Sequence, residues 1–107
     1  MAELTPENLV AVGGSRWTKA GKDRVYFNSW RTFIDLELSY YNSGNIASAT
    51  LKGEHISNSK AAKLLGGIEK VWYDVSDGKF HGSSWGGFND DLFAEVVDAI
   101  KTAIAAL

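Results

Sequence analysis

Residues 70–82 read KVWYDVSDGKFHG. The run Lys70-Val71-Trp72-Tyr73-Asp74-Val75 is the clearest strand in the chain, rich in β-branched and aromatic side chains. Asp77-Gly78 is a hairpin turn signal, and Lys79-Phe80-His81 pairs back. A strand that returns on itself within a few residues makes an antiparallel pair, not a crossover unit.

The same chemistry recurs on either side. Arg16-Trp17-Thr18-Lys19 and Arg24-Val25-Tyr26-Phe27 flank a break at Ala20-Gly21. Ile46 to Leu51 and Glu54-His55-Ile56 flank Lys52-Gly53. Trp30, Phe33, Ile34 and Leu38 recur at helical spacing, so residues 29–38 read as a helix with Asn28 as its cap. Tyr40 to Asn45 (YYNSGN) reads as a loop. Ser57-Asn58-Ser59 caps a helix carrying Ala61, Ala62, Leu64 and Leu65, stopped by Gly66-Gly67.

The ends of the chain are helical. Thr5-Pro6-Glu7 supplies a cap, a proline for the first helical position and an acid for the dipole, and Gly13-Gly14 ends that helix. Asn89 caps the last one, with Phe88 and Phe93 at the positions of a hydrophobic staple. Leu92, Phe93, Val96, Val97, Ile100, Ala103, Ile104 and Leu107 mark one broad apolar face. The expected fold is α+β, with the order α-ββα-ββα-ββα. An antiparallel sheet built from hairpins carries helices on one face. With 107 residues the chain is read as a single domain, residues 1–107.

Composition excludes several functions. There is no cysteine, hence no disulfide framework and no thiol catalyst, which fits a reducing cytoplasm. No apolar run is long enough to span a membrane. Residues 82–86, GSSWG, match the nucleophile-elbow pattern, but His55 and His81 both precede Ser84, the reverse of the order that fold uses. The two histidines lack H-x-x-H spacing, so neither is read as a metal ligand. Asp74 and Asp77 are accounted for by the turn. Glycine pairs follow helices here and do not precede them as phosphate loops do. No catalytic residue, metal site or cofactor is expected, and the chain reads as a non-enzyme.

Charge is the uneven property. The net charge is −2. Yet Arg16, Lys19, Lys22, Arg24 and Arg31 against Asp23 give residues 16–31 a sum of +4. Residues 88–107 sum to −3, from Asp90, Asp91, Glu95 and Asp98 against Lys101. Strand alternation puts Trp17 and Lys19 on one face, Arg16 and Thr18 on the other, and joins Arg24 with Tyr26. Such a cationic, aromatic face suits phosphate and base contacts, or an acidic protein patch. Exposed charge is also commonplace on strands, and a solvated strand that guards its edge would carry the same residues. A second candidate surface is Tyr40, Tyr41 and Trp85, residue types common in protein interfaces. The expected partner-binding residues are therefore Arg16, Trp17, Lys19, Lys22, Arg24, Arg31, Tyr40, Tyr41 and Trp85.

Three segments, GGSRWTKAGKDRVYFN (13–28), SGNIASATLKGEHISNSKAAKLL (43–65) and KVWYDVSDGKFHG (70–82), resemble small accessory proteins of phages and other mobile elements, a group that includes anti-CRISPR proteins. The resemblance implies a non-enzymatic protein in the cytoplasm of a bacterial host. Such a protein binds and blocks a larger protein or protein–nucleic acid complex, here a CRISPR-Cas defence complex. The alternative is a small nucleic-acid-binding domain that uses the basic aromatic hairpin. A net charge of −2 is too weak for nucleic-acid mimicry, so steric blocking, or competition by the basic patch, is the expected mode.

Overall fold

The computed structural model describes residues 3–84 and 86–107. Its elements run α1 (Pro6–Ala11), β1 (Ser15–Lys19), β2 (Lys22–Tyr26), a 3-10 helix (Trp30–Ile34), β3 (Leu36–Tyr40), β4 (Ile46–Leu51), β5 (Glu54–Ile56), α2 (Asn58–Gly67), β6 (Lys70–Asp74), β7 (Lys79–Ser83) and α3 (Asp90–Ala105). The class is α+β, and every strand pairing is antiparallel.

The strands form two sheets where one was expected. One has four strands in the order β1-β2-β6-β7, and the other has three in the order β3-β4-β5. The repeated ββα order is therefore only partly followed. The departure lies at residues 29–38. Trp30, Phe33 and Ile34 do turn helically, but only through a short 3-10 segment. Asp35 then adopts a left-handed conformation (φ 55, ψ 40), which stops the helix. Beyond it, Leu36 and Leu38 alternate with the exposed Glu37 and Ser39. That period of two is a strand signal which the helical spacing of Leu38 had masked.

Local chemistry explains the remaining boundaries. Thr5, Ser57 and Asn89 cap α1, α2 and α3, each side chain accepting a hydrogen bond from a first-turn amide. Phe88 and Phe93 meet edge to face at 5.3 Å, closing the staple at the start of α3. The β1–β2 and β4–β5 hairpins turn at Ala20-Gly21 (φ 54 and 79) and Lys52-Gly53 (φ 52 and 80). Positive φ at both central residues is the tight turn whose twist matches its strands.

A single cluster of buried side chains joins the layers. Val25, Val71 and Tyr73 come from the four-stranded sheet and Phe27 from the residue after β2, Leu36, Ala49 and Ile56 from the three-stranded sheet, and Leu92, Val96, Ile100 and Ile104 from α3. Helix α3 bridges the two sheets. Its Phe93 lies over Gly82 of β7, while Glu95 reaches Lys52 of the β4–β5 turn at 3.9 Å. The core thus lies on one face of the four-stranded sheet.

Candidate recognition face

The opposite face of that sheet is built by strand alternation. Val25, Val71 and Tyr73 point into the core, so their neighbours point away from it. Pairing aligns these outward residues in rows across the strands. One row is Ser15, Tyr26, Trp72 and His81, and the next is Trp17, Arg24, Asp74 and Lys79. Lys19 and Lys22 form a third row at the hairpin end, and Lys70 lies beyond Trp72 at the other.

Aromatic rings connect across all four strands. Trp17 meets Tyr26 edge on at 6.3 Å, Tyr26 lies 5.9 Å from Trp72, and Trp72 stacks with His81 at 5.7 Å and 22°. The Arg24 guanidinium lies over the Trp72 ring, 5.4 Å from its centroid. Its Nη1 donates to the Tyr26 hydroxyl at 3.2 Å, and Asp74 stands 3.7 Å from its Nε. These partners, Tyr26 foremost, hold the Arg24 pKa above its ordinary value against the opposing effect of burial. Arg24 is thus built into the face. Lys19, Lys22, Lys70 and Lys79 make no ion pair among the described residues and leave their charge in solvent.

At the β6–β7 turn, ligand atoms of Asp74, Asp77 and His81 lie within 4.8 Å of one another. Hydrogen bonds and a cation account for the arrangement. His81 Nε2–H donates to Asp77 Oδ2 at 2.7 Å. Asp74 Oδ1 accepts from the Ser76 amide at 2.9 Å and from its hydroxyl at 2.5 Å, and Arg24 faces the other oxygen. The Ser76 bonds, with Arg24 a smaller contribution, hold the Asp74 carboxyl below the usual carboxylate range.

Not all expected recognition residues gather here. Trp17, Lys19, Lys22 and Arg24 do. Arg16 points from the other face, where it grips Asp23 with two bonds of 2.8 and 3.1 Å and lies 3.9 Å from Glu7. Arg31 belongs to the 3-10 helix, over the ring of Trp30, and lines a separate depression with Ser29, Thr32, Leu36, Leu38 and Tyr40. Tyr40 and Tyr41 are exposed at the end of β3 and in the turn after it. Trp85 lies outside the described residues. Trp72, His81, Lys70 and Lys79 were not among the residues expected from sequence, yet they supply four of the eleven outward residues of the face. Their only sequence signal is that Trp72 and Lys70 share the outward alternation of β6.

Ser84 follows an antiparallel strand and donates to the Gly86 carbonyl at 2.7 Å. A nucleophile elbow needs a parallel strand leading directly into a helix. No described helix is long and apolar enough to cross a membrane. No protein-family model, curated protein or solved structure matches this chain.

Proposed function

We propose that this protein is a non-enzymatic binding module that holds a larger, negatively charged macromolecular partner against the outer face of its four-stranded sheet. The observation that carries this reading is the chain of ring contacts Trp17–Tyr26–Trp72–His81, flanked by lysines with no ion-pair partner among the described residues. Rings on the solvent side of a sheet contribute nothing to the core behind it. Together they make an apolar centre with a charged rim, the layout of a protein interface. The sign of the rim selects an acidic partner and speeds its approach.

The resemblance to phage accessory proteins supplies the context for the partner: a protein or protein–nucleic acid complex of bacterial CRISPR-Cas defence, blocked by occupation of its surface. Direct nucleic-acid binding is the second reading, favoured by the rows of lysine beside aromatic rings. It is weakened by Trp72, whose ring already carries Arg24 and His81 and is not open to a base.

The experiment is affinity capture from phage-infected bacterial lysate with the parent chain and with a Lys19→Glu, Lys22→Glu, Lys70→Glu variant. The reading expects a partner recovered by the parent and lost by the variant at an unchanged melting temperature. Recovery by both in equal amount sinks it. A captured complex that dissociates steeply with salt and is lost on nuclease treatment selects the second reading.

A further inference from the structure

The recognition face ends at β1, and β1 is an open edge. Among the described residues its backbone pairs with β2 alone, and all five of its residues are exposed. Which of its backbone groups are open follows from the register. Asp23 accepts from Val75, and Phe27 donates to Val71, so alternate residues of β2 turn their groups toward β6. The intervening residues Lys22, Arg24 and Tyr26 therefore face β1, where they meet Lys19, Trp17 and Ser15. That leaves the N–H and C=O groups of Arg16 and Thr18 pointing outward, with no backbone partner among the described residues.

Other edges of the fold are less suited to pairing. β3 carries a bulge between Ser39 and Tyr40, β5 has three residues, and β7 is half-buried along most of its length. Bulges and short strands are how sheets close their edges. β1 is regular, has five residues and contains no proline. Its only guard is charge. The β1 of a second copy, Ser15–Lys19, carries no acid to meet Lys19. The same guard attracts an acidic strand.

We propose that β1 accepts an extended acidic segment of a protein partner as a fifth strand of the sheet. This rests on the reading of the outer face as the recognition surface and names the chemistry of what binds there. Hydrogen bonds run to the Arg16 and Thr18 backbone. On the outer face, an apolar side chain of the added strand meets Trp17, and an acidic one two residues away meets Lys19, which has no ion-pair partner among the described residues. Arg16 is already neutralised by Asp23 and contributes shape on the other face.

The test uses the isotopically labelled full chain and an octapeptide in which tyrosine or valine and glutamate alternate at every second position with threonine between them, so that one face carries both. At peptide about ten times Kd, amide exchange at Arg16 and Thr18 slows about tenfold, while the ladder amides of Trp17 and Arg24 change little. A counterpart with lysine for glutamate gives no protection. Thr18→Pro removes an outward donor without touching the β1–β2 ladder and abolishes the protection of Arg16. Thr18→Val keeps the amide, loses only the hydroxyl contact to Asp23 and still binds, which decides the matter if the proline variant is unfolded. Unprotected Arg16 and Thr18 amides at millimolar acidic peptide overturn the proposal, as does equal protection by the lysine peptide. An oligothymidylate that binds with a steep salt dependence, shifts Trp17 and leaves the edge amides exchanging also overturns it. The outer face then stands as a nucleic-acid site. Edge protection together with unimpaired partner capture by the lysine-reversed variant would sink the reading of the face instead.

Discussion

The Arg24 guanidinium covers the Trp72 ring at 5.4 Å, although the two residues belong to hairpins from opposite halves of the chain. Arg24 also bonds Tyr26 and faces Asp74 on the strand next to its own. It is a cross-strand brace as much as a surface charge. Lys19 and Lys22 lie in the same basic stretch and have no ion-pair partner among the described residues.

The basic residues therefore separate by variant. Lys19→Glu and Lys22→Glu together leave thermal unfolding where it is, since exposed charges without partners contribute little to stability. Arg24→Glu lowers the melting temperature, because a carboxylate then faces Asp74 and the Trp72 ring loses its cation. Calorimetry of the two variants reads the difference. Equal melting temperatures would mean that the brace carries no weight.

What the sequence made legible follows from what is local. Hairpin turns, caps and the face of α3 are set within a few residues, and Ala20-Gly21, Asn89 and Ile100 stand where the pattern places them. The partner of a hairpin is not local. Nothing in residues 22–26 says that β6 will lie beside β2, so Trp72 and His81 could not be joined to Tyr26 in advance. β3 was hidden for another reason. Leu38 satisfies the helical period begun by Trp30 and also the strand period begun by Leu36, and the left-handed turn at Asp35 decides between them. Arg16 illustrates the limit of charge counting. Alternation put it opposite Trp17, and its pairing with Asp23 cancels it there.

Glycines that look alike in sequence divide sharply in space. A Cβ on Gly14 would stand 2.3 Å from Val25 Cγ1 and 2.9 Å from the Leu9 carbonyl oxygen, so Gly14 is needed for α1 to close on β2. Gly66 has open space around its Cβ position and sits in α2 at a negative φ. Gly14→Ala should destabilise by about 1–3 kcal/mol through overpacking. Gly66→Ala should stabilise by roughly 0.5–1 kcal/mol through helix propensity. Chemical denaturation measures both, and opposite signs are the expected result.

Helix α3 owes its place to one stripe. Val96 and Ile100 are completely buried, whereas Val97, one position round, is only partly covered and lines an open groove with Phe80 and Phe93. Ile100→Ala should cost about 2–5 kcal/mol, and Val97→Ala clearly less, because its cavity opens to solvent. Urea midpoints of the two variants check this. A larger loss at Val97 would place the core on the wrong side of the helix.

The Arg16–Asp23 pair gives the acid limb of stability a residue-level test. The hydrogen bonds from Arg16 hold the Asp23 carboxyl below its ordinary value of 3.8, outweighing the effect of burial. A carboxyl whose folded pKa is depressed stabilises the fold fully above the unfolded value. The contribution is lost as pH falls through the folded pKa. It therefore fades only below about pH 4. Arg16→Gln should move the Asp23 titration upward, read from its carboxyl carbon by NMR, and leave Asp74 unmoved. Asp74 is depressed chiefly by Ser76, so Ser76→Ala should raise Asp74 and spare Asp23. If Arg16→Gln leaves Asp23 where it was, the two-pronged contact on the inner face of β1 does not persist in solution. Arg16 would then add its charge to that of Lys19 along the open edge.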